Sequence, residues 1–112
     1  MTAAQFRRLA LRLPETSEAA HMGHPDFRVS GKIFATLGPD EDWGMVKVTA
    51  AEQAALIASE PDVFYPANGA WGRGGCTIVR LLEAKSATVE HALLAAWCNT
   101  APKRLVKNFR EE

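Results

Sequence analysis

The side chains best suited to do chemistry in this sequence are cations. Near the C-terminus Lys103, Lys107 and Arg110 recur at i, i+4 and i+7 with Arg104 beside them, so a helix would line the three on one face, opposite Leu105 and Phe109. Arg28 and Lys32 flank Gly31, where a tight turn between two strands would set them at strand tips, and Arg73 stands inside the glycine-rich stretch Gly69 to Gly75. The group such a set would take is phosphate, in contacts that tolerate any base sequence and weaken with salt as counterions are released. The same cations have an ordinary role too: near a helix C-terminus they offset the helix dipole and keep the surface wetted.

Over 112 residues the net charge is zero, which by itself argues against a nucleic-acid partner, yet the charge is segregated. Residues 1–12 and 101–110 together hold seven basic and no acidic side chains, residues 13–100 hold six basic and eleven acidic ones, and Glu111 and Glu112 close the chain. A basic patch therefore depends on whether Arg8 and Arg12 fold beside Lys103 and Lys107. A second candidate surface is aromatic: Trp43, Tyr65 and Trp71 could frame a site for a protein partner or a small ligand.

Other chemistries find little support. The glycines at 69, 72, 74 and 75 precede a strand rather than a helix and lack a Gly-Lys-Ser/Thr ending, so the stretch reads as a bulged hairpin or wing that Trp71 packs down, not as a phosphate loop. His21 and His24 are three apart, but Gly23 and Pro25 argue against the helix that would aim both at one metal, and neither Cys76 nor Cys98 has a neighbouring ligand. No serine sits in a glycine-flanked elbow, and Cys76 reads as a small apolar filler, so no catalytic residue, metal or cofactor is assigned. The longest apolar run, Ala92 to Cys98, is far short of the roughly 20 residues that cross a bilayer. The opening residues lack the pattern of a signal peptide, and the expectation is a soluble cytoplasmic protein with reduced cysteines and no membrane partner.

With 47% apolar and 23% charged residues, the chain has material for one core and one domain, residues 1–112. Phe6, Leu9, Ala10 and Leu13 give a first helix over 3–13, with Thr2 as N-cap and Pro14 as stop. A short strand over 18–22 follows. Then Phe27, Val29, Ile33, Ala35 and Leu37 alternate with Arg28, Ser30, Lys32, Phe34 and Thr36 to predict a hairpin about Gly31. Trp43 to Val48 is a further strand, and Thr49-Ala50-Ala51-Glu52 is a capping box for a helix to Ser59. Residues 63–66 are extended or loop-like, Cys76 to Leu82 is the clearest strand, a helix runs from Ser86 or Thr88 to Cys98, and Pro102 opens a last helix to Phe109. Short links between successive strands favour antiparallel pairing. The prediction is α+β: one antiparallel sheet of about five strands with helices on one face and the other face open to a partner.

At Leu13-Pro14, Gly23-His24-Pro25, Phe27-Arg28-Val29, Gly31-Lys32-Ile33-Phe34-Ala35, Val46-Lys47-Val48, Trp71-Gly72, Gly75 with Thr77, and Ala96-Trp97 with Ala101-Pro102-Lys103, the chain resembles the MmcQ/YjbR family of small bacterial proteins, over most of its length. The resemblance implies a double-wing domain similar in fold to CyaY and frataxin, and a DNA-binding role inferred largely from shape. Cys76 departs from the pattern, because an aromatic residue is expected between Gly75 and Thr77. Metal handling by analogy with frataxin is a weaker third reading, since the acidic residues are few and dispersed. The functional expectation is a non-enzymatic domain binding DNA weakly through Arg28, Lys32, Arg73, Lys103, Arg104, Lys107 and Arg110, with a protein- or ligand-binding open sheet face as the alternative.

Overall fold

The computed structural model describes residues 1–111. Helix α1 (Ala3–Leu11) leads into four consecutive strands, β1 (Thr16–His21), β2 (His24–Val29), β3 (Lys32–Leu37) and β4 (Trp43–Lys47). Helix α2 (Ala50–Ser59), strand β5 (Phe64–Pro66), the short helix α3 (Gly69–Arg73) and strand β6 (Cys76–Arg80) follow, and a 3-10 turn leads to α4 (Ser86–Thr100) and α5 (Lys103–Glu111). The strands form one antiparallel sheet in the order β1-β2-β3-β4-β6-β5. The α+β expectation holds with six strands instead of about five, because residues 64–66 pair with β6.

Two-residue turns join the first three strands. Met22 and Gly23 in one turn, and Ser30 and Gly31 in the other, all have positive φ, the backbone whose twist matches a tight hairpin. Between β2 and β3 the register shifts, so that Phe27 faces Ala35 and Arg28 faces Ile33, with Phe34 bulged between them. The bulge corrects the simple alternation: Phe34 joins Ala35 in the core, and Ile33 turns to the opposite face.

The core lies between one sheet face and α1 and α4, with Phe6, Phe27, Phe34, Leu37, Val46, Val79, Leu93 and Trp97 all essentially without exposure. Helix α4 packs on β3 and β4, and α1 packs on α4. The Trp97 indole donates to the Pro14 carbonyl at 3.1 Å and its ring meets Phe109 of α5, so the turn after α1 and the last helix both abut one side chain. Capping boxes start α1 at Thr2 and Gln5 and α2 at Thr49 and Glu52.

The glycine-rich stretch is a short helix, not a hairpin wing, and Trp71 points outward at 72% exposure instead of packing the segment down. What fastens it is Gln53 of α2, whose side-chain amide donates to the carbonyls of Gly72 and Cys76, each at 3.0 Å. Gly75 has a φ of +112° and lies so close to Val48 that a Cβ would collide with the Val48 carbonyl, whereas Gly31, at φ +80°, faces open space. Gly31→Ala should therefore cost about 1 kcal/mol from backbone strain alone, and Gly75→Ala about 3 kcal/mol once the collision is added. Equal losses in urea unfolding would contradict this packing.

Candidate functional site

The sheet face away from α1 and α4 carries the site. Alternation along β2 puts His24, Asp26 and Arg28 on this face, β4 contributes Trp43, Met45 and Lys47, and β6 contributes Cys76 and Ile78 directly opposite Lys47 and Met45. Together with Lys32, Ile33 and Thr36 of β3 they floor a concavity of about 860 Å³. Asn68 and Trp71 form one wall beside β6, and Asn99 and Thr100, at the end of α4, close another. The Asn99 side chain donates to the Lys47 carbonyl at 2.9 Å and so ties α4 to the rim. The floor is largely apolar, with Ile33, Met45, Cys76 and Ile78, while Arg28, Lys32 and Lys47 bring positive charge around it.

Asp26 has no solvent exposure, yet it lies on this face under polar cover. Arg28 donates from Nε to Oδ1 at 2.8 Å and from Nη2 to Oδ2 at 3.1 Å, and His21 Nδ1 lies 2.8 Å from Oδ2. The hydrogen bonds from Arg28, helped by the one from His21, hold the carboxyl below its ordinary range against the opposing effect of burial. The His21 ring stacks on His24, their centroids 5.8 Å apart, and His24 meets Trp43 edge-on at 6.0 Å. A line of rings thus runs from the sheet edge into the concavity.

The candidates read from the sequence separate into groups. Arg28, Lys32, Trp43 and Trp71 come together around the concavity. Tyr65 does not line it: the Arg80 guanidinium covers its ring at 4.2 Å. Arg73 is exposed on α3 outside the lining. Lys103, Lys107 and Arg110 edge a smaller depression with Cys98, Ala101 and Val106, and Arg104 is exposed nearby. The two depressions adjoin in sequence, since Asn99 and Thr100 line the first and Cys98 and Ala101 the second. At the N-terminal end Arg7 is already paired, to Glu18 at 2.8 Å and Glu41 at 3.2 Å.

Sequence reasoning missed Lys47, Asp26, Asn99 and Thr100, and weighed His21 and His24 only as metal ligands. Alternate positions 24, 26 and 28 and positions 43, 45 and 47 are the signal that could have placed His24, Asp26 and Lys47, since a strand puts each trio on one face. Cys76 lies buried at the floor with its thiol pushed up by that burial, against a smaller opposing pull from Lys47, which suits a neutral filler and not a nucleophile. Among the described residues no cluster of three or more His, Cys, Asp or Glu side chains could hold a metal, and no helix is long and apolar enough to cross a membrane.

A six-stranded antiparallel sheet, packed by helices on one face and bearing a cationic, ring-lined hollow on the other, defines an α+β domain with a one-sided site. The YjbR family model matches residues 11–101, and the chain belongs to that family. Its fold is similar to the crystal structure of Deinococcus radiodurans protein DR2400, a DUF419 domain, with a TM-score of 0.78 at 17% identity over 98% of this chain and 86% of the other. No curated protein gives a significant match.

The Asp26 cluster has a direct consequence for acid stability. A carboxyl held below its ordinary range stabilises the fold fully above about pH 4, and that contribution is lost as pH falls through the depressed value. Asp26→Asn should lower stability by about 2 kcal/mol at neutral pH, with the gap to the parent protein closing on acidification. Urea midpoints measured from neutral to strongly acidic pH check this; a gap that stays constant would show that the ionised carboxylate is not the source.

Proposed function

We propose that this chain is a binding domain rather than an enzyme, and that its open sheet face takes a single strand of nucleic acid, DNA included, with little regard to base sequence. The observation carrying this reading is the pairing, in one concavity, of Trp43 and Trp71 with Arg28, Lys32 and Lys47 over an apolar floor. Bases stack on aromatic rings whatever their identity, and cations along the same groove track the backbone. Trp71, at 72% exposure, is the ring most available for stacking. The exposed cations Lys103, Arg104, Lys107 and Arg110 follow the turn after Thr100, and Arg73 adds charge from α3. The unpaired Cys76 and Cys98 suit a reducing, cytoplasmic setting.

A second reading has one observation in its favour: about 860 Å³ is a volume that a small ligand could fill. In that case a free nucleotide or other ring-bearing anion, or a protein side chain, would occupy the same hollow.

Tryptophan fluorescence titration with oligothymidylate at about 50 and 200 mM salt separates these readings. The expected result is quenching, with an affinity whose log–log salt slope is about −2 for three neutralised phosphates on a single strand. Trp71→Ala should weaken binding about tenfold or more through lost stacking. Lys32→Glu with Lys47→Glu should weaken it more than Lys103→Glu with Lys107→Glu. No quenching at low salt, or binding indifferent to salt, would overturn the proposal; saturation by a mononucleotide with no gain from a longer strand would favour the small-ligand reading.

A further inference from the structure

Stacking rings and groove cations account for the middle of the concavity but not for the cluster at its β1–β2 edge. A fully buried carboxylate held between an arginine and a histidine is an expensive arrangement. Its geometry has one clear effect. A guanidinium carries five N–H donors, and Arg28 uses one on Nε and one on Nη2 for Asp26, which leaves three without a partner among the described residues. The Arg28 side chain retains 34% exposure and lines the concavity, so a rigid, pre-oriented fork faces a space open to ligand. His21 is held by Nδ1 against the same carboxylate, leaving Nε2 free, and its side chain is 41% exposed.

We propose that Arg28 and His21, positioned by Asp26, form a phosphate subsite whose affinity rises as the histidines take up protons. This inference rests on the sheet-face reading above and names where one phosphate of the bound strand sits. Guanidinium forks match tetrahedral oxyanions in paired hydrogen bonds, and a fork already locked by a carboxylate loses little freedom on binding. Protonation of imidazole, which ordinarily falls between about pH 5 and 8, adds a charge and fixes Nε2 as a donor. The charged and titratable groups on the surrounding elements are His21 on β1, His24, Asp26 and Arg28 on β2, Lys32 on β3, and Lys47 on β4. In the loop before β4, Glu41 is turned to Arg7. Imidazole is the one side-chain type in this set whose ordinary chemistry involves a charge change in that range, which gives the effect its sign.

Sulfate is the appropriate probe, since it stays a dianion while phosphate itself titrates. Side-chain NMR of the arginine Nε–H and histidine ring signals, at constant ionic strength, should show saturable shifts of Arg28 and His21 at about pH 5.5, with affinity about tenfold weaker at about pH 8. His21→Gln should keep the affinity at the higher pH and lose much of the gain at the lower one. Arg28→Lys, which retains a charge for Asp26 but not the fork, should weaken binding at both. An Arg28 signal that sulfate leaves unmoved, or equal affinity at both pH values, overturns the proposal. If oligothymidylate binds while sulfate leaves Arg28 unmoved, the subsite fails and the sheet-face reading stands; sulfate on Arg28 without oligonucleotide binding has the opposite meaning.

Discussion

The fully buried ring of Trp97 meets Phe109 of α5 and reaches the Pro14 carbonyl, while its helix lies along β3 and β4. Through it the last helix, the turn after α1 and the centre of the sheet are joined on one side. Apolar residues at alternate strand positions, Phe27, Val29, Val46 and Val79, supply the surface these helices cover. With that side filled, the intervening positions face away from the helices. Antiparallel sheets tolerate such one-sided cover, and the uncovered residues are free to serve binding.

The uncovered face is not simply polar. Trp43, Met45, Ile33 and Ile78 make it apolar at its floor, and positive side chains stand around them. Two parts of the chain shape this floor into a hollow: α3, held in place by Gln53, raises Trp71 along one side, and the end of α4 raises Asn99 and Thr100 at another. At the β1–β2 edge the Asp26 carboxylate serves a different purpose. It holds Arg28 and His21 in fixed positions, so the charge there is ordered rather than merely present. Ordered donors lose less freedom on binding than mobile lysines do, which sets this edge apart from the stripe on α5.

Local signals in the sequence carried much of this architecture. Thr49 with Glu52, the Gly31 turn and the β-branched run after Cys76 each encode their element through nearby contacts and are found as read, while α1 ends at Leu11, short of the stop read at Pro14. Phe34 was not legible as core, because a bulge depends on the partner strand's register. The 69–75 helix escaped notice because glycine composition speaks for a loop, while the hydrogen bonds from Gln53 that secure the segment come from a residue some twenty positions away. For the site, Arg28, Lys32, Trp43 and Trp71 were visible by residue type, but their meeting around one hollow required the strand order. Asp26 was invisible as a centre because its partners lie across a hairpin and along its own strand, and only strand periodicity relates them. Tyr65 stands outside that hollow, and the Arg80 guanidinium over its ring comes from the neighbouring strand.

The claim on which the functional account turns is that the ligand occupies the sheet face away from α1 and α4. Backbone amide shift mapping with oligothymidylate on the isotope-labelled full chain tests this most directly. The expected result is a contiguous set of shifted amides on β2, β3, β4 and α3, centred on Arg28, Lys47 and Trp71, with weaker changes on α5. Shifts confined to α1 and α5, with the sheet face silent, would contradict it and return the binding role to the terminal helices alone.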